Sequence, residues 1–134
     1  MFSIHSVNSS RELIFSNRSQ EYFHVELKDL NISASTKVWD DVNPTYLNAF
    51  FQELANFKTP WQGEQAWASY ESEFEISATC TTLGHVLFWI KLSGSPGGTE
   101  TWEVKAGLET ELGQLKKIAK AANIFFQGPQ LTQS

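Results

Sequence analysis

Cysteine, histidine and methionine are scarce in this chain: its 134 residues hold one cysteine, three histidines and one methionine. A single thiol excludes an internal disulfide framework and any multi-cysteine zinc site. His5, His24 and His85 are scattered with no i, i+4 helical pair, so their spacing announces no metal site and no cofactor is expected. Positive charge is also in short supply. Ten Lys and Arg face fifteen Asp and Glu, giving a net charge of −5 and a pI of about 5.1. That balance argues against a protein that grips nucleic acid through its phosphates. Long apolar runs are missing: the longest, Val86-Leu87-Phe88-Trp89-Ile90, is strand length and far short of a membrane span. No basic region followed by an apolar run opens the sequence, so the expected compartment is the cytoplasm, with Cys80 reduced. There is no Gly-x-Ser-x-Gly elbow. The glycines at 94, 97 and 98 fall between two strand-like segments rather than between a strand and a helix, which is hairpin rather than phosphate-loop chemistry.

What is abundant is apolar and aromatic bulk. Hydrophobic residues reach 41%, and ten Phe and five Trp supply large side chains for a core. The length suits one domain, 1–134. Residues 2–7 and 11–17 read as a hairpin around Asn8-Ser9-Ser10. Residues 22–28 and 32–39 alternate apolar and polar across a short connector and should pair antiparallel. Asn43-Pro44 is a helix start, and Leu47, Phe50, Phe51, Leu54 and Phe57 follow helical spacing up to the stop at Pro60. Trp61 to Trp67 reads as a loop. Strands follow at 73–81, 85–93 and 100–107, then a helix from Glu111 to Phe126, capped by Thr110 and ended by Gly128-Pro129, with a flexible tail over 128–134. The expected fold is therefore α+β in the order ββββαβββα. It would be a mainly antiparallel sheet of six or seven strands with two helices on one face.

Three patterns carry candidate chemistry. Residues 40–75 hold seven acids against Lys58, a net of −6, so this segment alone carries the imbalance of the chain. Glu71, Glu73 and Glu75 recur at period two and would share a strand face, with Glu64, Asp40 and Asp41 in the same stretch. Such a surface keeps a protein soluble, or docks a basic partner and speeds its association, or holds a general acid/base pair, though nothing in the sequence singles out one perturbed carboxylate. Trp61 and Trp67 flank one loop, and with His85 they would line a pocket for a small molecule or an enzyme's substrate. Cys80 and His85 flank one tight turn, but Cys80 falls on the apolar face of its strand, where a thiol is inert, so no catalytic residue is assigned. Trp39 and Trp89 lie opposite their strands' aliphatic faces. Leu87 shares the Trp89 face, which suits an interface, including one between two copies of the chain.

Several motifs together resemble a bacterial family of uncharacterised small proteins. They are Leu47-Asn48-Ala49-Phe50-Phe51-Gln52-Glu53-Leu54, Trp61-Gln62-Gly63-Glu64-x-x-Trp67-x-Ser69-x-Glu71, Gly84-His85-Val86, Trp102, Gly113-Gln114-Leu115 and Phe125-Phe126. The resemblance covers roughly residues 22–126 and leaves the first hairpin outside. The order of elements is similar to WapI-type immunity proteins, which neutralise a co-encoded contact-dependent toxin. That layout implies an acidic, cytoplasmic, non-enzymatic inhibitor of a toxin such as a basic nuclease, a basic protein partner; the net charge and the short apolar runs leave nucleic acid and membrane out as partners.

Overall fold

Eight strands and two α-helices build the protein among the residues that the computed structural model describes, which are 1–40, 46–94 and 97–132, the side chains of residues 46 and 128–132 excepted. The strands are β1 (Phe2–His5), β2 (Glu12–Ser16), β3 (Tyr22–Lys28), β4 (Ser33–Trp39), β5 (Gln65–Ala68), β6 (Phe74–Cys80), β7 (His85–Gly94) and β8 (Trp102–Glu111). Helix α1 spans Tyr46–Ala55, and α2 spans Leu115–Thr132 after a 3-10 turn at Leu112–Gln114. The class is α+β, but the strands form two antiparallel sheets of four, β1-β2-β3-β4 and β5-β6-β7-β8, in place of the single sheet expected. Each sheet is a meander, so every pairing is between neighbours in sequence and short turns suffice.

Alternation decides which face of each sheet is buried. In the first sheet Phe2, Ile4, Leu13, Phe15, Phe23, Val25, Leu27 and Val38 point inward. In the second, Phe74, Ile76, Ala78, Val86, Phe88, Ile90, Leu92, Ala106 and Leu108 do. Both inner faces join the apolar sides of α1 and α2 in one core. Phe15 is its hub. Its ring lies 4.9 Å from Phe2, 5.9 Å from Phe23, 6.2 Å from Phe51, 5.8 Å from Phe74 and 6.2 Å from Phe126, so one side chain touches both sheets and both helices.

The helices are tied by polar contacts as well. Asn48, buried on α1, donates to Asn123 Oδ1 (3.0 Å), and Gln52 Nε2 donates to Asn48 Oδ1 (2.9 Å) and to the Ala119 carbonyl (2.7 Å).

Several expected boundaries moved. Gln65–Ala68, which overlaps the loop expected over Trp61 to Trp67, is an edge strand. Strand β8 runs on to Glu111, so Thr110 is a strand residue and caps no helix. Helix α2 continues through Gly128-Pro129 to Thr132, so residues 128–132 are helical rather than tail. An interior proline costs a helix one backbone bond and crowds the carbonyl four residues back, so the pair weakens this stretch without ending it. Phe57 lies beyond α1 and stacks on Trp61 at 4.6 Å. Asp41, the Asn43-Pro44 start and Ser95-Pro96 lie outside the described residues. None of the described helices is long and apolar enough to cross a membrane.

Candidate partner-binding face

Register builds the outer face of the second sheet row by row. Ala66, Ser77, Trp89 and Gly107 stand in line across β5, β6, β7 and β8. The next row is Ala68, Glu75, Lys91 and Lys105, and the row on the other side carries Thr79, Leu87 and Glu109. Small residues surround Trp89, which remains 51% exposed. Gly107 has a specific role there: a Cβ at that position would come within 3.2 Å of Leu87 Cδ1 and 3.7 Å of Trp89 Cζ3. Its absence lets the indole and Leu87 lie down over β8. At the end of the sheet the Trp102 indole crosses Gly94 so closely that no Cβ fits there.

A concavity of about 640 Å³ opens on this face, lined among others by Glu64, Trp67, Glu75, Trp89, Lys91 and Lys105. Charges of both signs alternate along it. Lys91 Nζ donates to Glu75 (2.6 Å) and lies 3.6 Å from Glu103, which is itself 3.6 Å from Lys105. The Glu75 hydrogen bond, helped by the charges of Glu75 and Glu103, raises the Lys91 pKa above its ordinary value.

The candidate acidic surface is only partly assembled. Glu71, Glu73 and Glu75 do not share a strand face, because the chain turns there: Ser72 takes φ 60°, and its N–H donates to the Ser69 carbonyl (2.9 Å). Strand β6 begins only at Phe74. Glu73 is buried and accepts the Ser69 hydroxyl, while the Phe74 N–H donates to Ser69 Oγ (3.1 Å). Asp40 is buried too, and accepts from Arg18 Nη1 at 3.2 Å in a pair whose side chains are each 5% exposed. Burial lowers the Arg18 pKa, opposed by the adjacent Asp40 charge. Glu75 faces solvent but is taken by Lys91. Glu64, which borders the concavity, and Glu71, in the turn between β5 and β6, remain exposed.

Nor do Trp61, Trp67 and His85 form one pocket. Trp67 pairs with Ile76, turns to the core side of the sheet away from Trp89, and packs its ring 5.8 Å from Phe74. Trp61 is buried on Phe57 and borders a separate hollow of about 490 Å³ with Cys80 and Thr82. His85 lies 3.3 Å from Glu111 on the far side of the β6–β7 turn. Burial raises the Cys80 pKa against a partial offset from the Trp61 backbone N–H, and its thiol donates to the Thr81 carbonyl at 3.4 Å. His85 is not among its partners, so the thiol lacks the adjacent base that would activate it. Among the described residues no group of three His, Cys, Asp or Glu is placed to hold a metal ion. Sequence reasoning singled out Trp89 and Leu87. It missed Lys91, Glu103, Lys105 and Gly107, which become neighbours only once the register of β7 and β8 is known.

A family model matches residues 4–129. The chain belongs to DUF6228, a family of unknown function. The match takes in β1 and β2, so the first hairpin is part of the DUF6228 domain rather than an addition to it. No curated protein and no solved structure matches this DUF6228 chain.

Proposed function

We propose that the protein is a non-enzymatic binding module for another protein, and that the outer face of β5–β8 around Trp89 is its docking surface. The observation that carries this reading is a half-exposed tryptophan amid Ala66, Ser77 and Gly107, rimmed by the Glu75–Lys91–Glu103–Lys105 ladder. An aromatic anchor inside a polar rim is the usual anatomy of a binding hot spot. The exposed Glu64 and Glu71 form no ion pair among the described residues, and their negative charge favours a basic partner. An inhibitor of a toxin, in the manner of the immunity proteins with a similar element order, is the specific form of this proposal.

The test is site-specific crosslinking from a photoreactive residue at Ser77, compared with one at Glu26 on the outer face of the other sheet. A partner captured from Ser77 alone should lose about thirtyfold in affinity on Trp89→Ala, the value of a 2 kcal/mol hot spot. Charge reversal at Glu64 and Glu71 should slow its association and flatten its salt dependence. An affinity indifferent to Trp89 would overturn the proposal. Light scattering checks a second copy as the occupant of the same face.

A further inference from the structure

The edge of the first sheet, beside β8, holds a different feature. Strand β1 is the edge of the first sheet, and its hydrogen-bonding parity can be read from its turn. Ser6 N–H donates to the Arg11 carbonyl (2.9 Å), so Phe2, Ile4 and Ser6 bond toward β2, and Ser3, His5 and Val7 turn their N–H and C=O groups outward. Val7 uses its outward N–H on the Glu109 carbonyl of β8, at 3.0 Å. Ser3 and His5 have no backbone partner on that side among the described residues. From the Val7–Glu109 bond the two strands diverge, and a crevice of about 500 Å³ opens between β1 and the start of α2.

The walls of this crevice are specific. Gln114, from the 3-10 turn, and Lys117, Ile118 and Ala121, from one side of α2, face β1 across it. Thr110, only 2% exposed, lines it as well. Lys117 is exposed and is the cation of the lining, which contains no carboxylate. The nearby Glu12 carboxylate lies 3.2 Å from His5 Nδ1 and is turned to that ring.

We infer that the crevice between β1 and α2 receives an extended peptide segment that adds to the sheet as a fifth strand through Ser3 and His5 and sets a carboxylate against Lys117. Outward donor and acceptor pairs two residues apart repeat at roughly 6.6 Å, the period of a strand and of little else. The adjacent helix supplies the side-chain contacts that a bare sheet edge lacks. A second copy pairing β1 with β1 would bring the same cations together and leave Lys117 without a carboxylate.

The experiment selects a displayed library of random heptapeptides on the intact protein and follows a synthesised, enriched peptide by NMR. Enriched sequences should alternate apolar and polar residues and carry Asp or Glu. The bound peptide should shift the amide signals of Ser3 and His5 and protect them from hydrogen exchange. Lys117→Glu, at an exposed position, should weaken it by about tenfold with the melting temperature unchanged. Ser3→Pro, which deletes an outward N–H and no bond to β2, should weaken it as well, while Trp89→Ala should leave it intact. The proposal is overturned by a library that yields no enriched peptide, by shifts that map away from β1, or by binding indifferent to Lys117→Glu. It is also overturned if the same amides shift when the protein alone is concentrated, since a second copy would then be the occupant.

Discussion

Phe15 shows how much of this structure hangs on single side chains. Its ring is fully buried among Phe2, Phe23, Phe51, Phe74 and Phe126, which come from five different elements. Phe15→Ala should cost about 3–5 kcal/mol in urea unfolding, because the rigid rings around it cannot collapse into the space. Phe15→Leu should cost visibly less, and equal losses for the two would place Phe15 outside the core. Alternation made this residue legible as inward-facing, and the same rule placed Trp39 and Trp89 outward. Trp39 does meet Tyr22 edge-on at 4.7 Å on the outer face of the first sheet. Charge was less legible. The −6 of residues 40–75 is segregated along the chain but not in space, since Asp40 finds Arg18 and Glu75 finds Lys91. A count along the sequence cannot include cations that folding delivers from elsewhere.

Elements were legible where their period ran long. Strands β3, β4, β6 and β7 and helix α1 follow from six or more patterned residues each. Strand β5 has four, Gln65–Ala68, too few for a period to show, and its place is set by pairing with β6. The loops that join elements carry a pH dependence of their own. Asp29, after β3, accepts the Ser10 hydroxyl (2.7 Å), the Leu30 N–H (2.7 Å) and Arg11 Nε (2.9 Å), and Arg11 Nη1 donates onward to the Gly107 carbonyl of β8 (2.7 Å). The Ser10 hydrogen bond first, then the Leu30 amide and Arg11, hold the Asp29 carboxyl below its ordinary value. Because the folded pKa is lowered, the stabilisation is fully present above the unfolded value of about 3.9 and is lost as pH falls through the folded one. Acidification should therefore loosen the β1–β2 loop, seen as falling NMR order parameters over residues 6–11. Asp29→Asn should show low values already at neutral pH and little further change in acid. Order parameters that stay constant in the unmodified protein down to about pH 2 would contradict this.

At the scale of the molecule, two meanders are closed into one body by the N-terminal hairpin. Phe2, Ile4, Leu13 and Phe15 supply the inner face of β1 and β2, and each is 2% exposed or less. The hairpin loop also covers the outer edge of β8 through Val7, Arg11 and the Asn8 side chain, which donates to the Glu109 carboxylate. The division into two sheets was not legible in the sequence, because it depends on β4 and β5 not pairing across α1, and no local pattern encodes a pairing that fails to occur. The resemblance drawn from motifs likewise began at residue 22, although the family match begins at residue 4. Both omissions bear on the same test. A chain starting at Arg18 should lose cooperative folding: calorimetry should show no sharp transition, and a hydrophobic dye should bind to the uncovered faces of Phe51, Phe74, Phe125 and Phe126. The freed β8 edge, with the outward carbonyls of Gly107 and Glu109 unpaired, should add aggregation to instability. If the shortened chain instead melts sharply within a few degrees of the full one, the hairpin is an appendage and the core rests on β3–β8 and the helices alone.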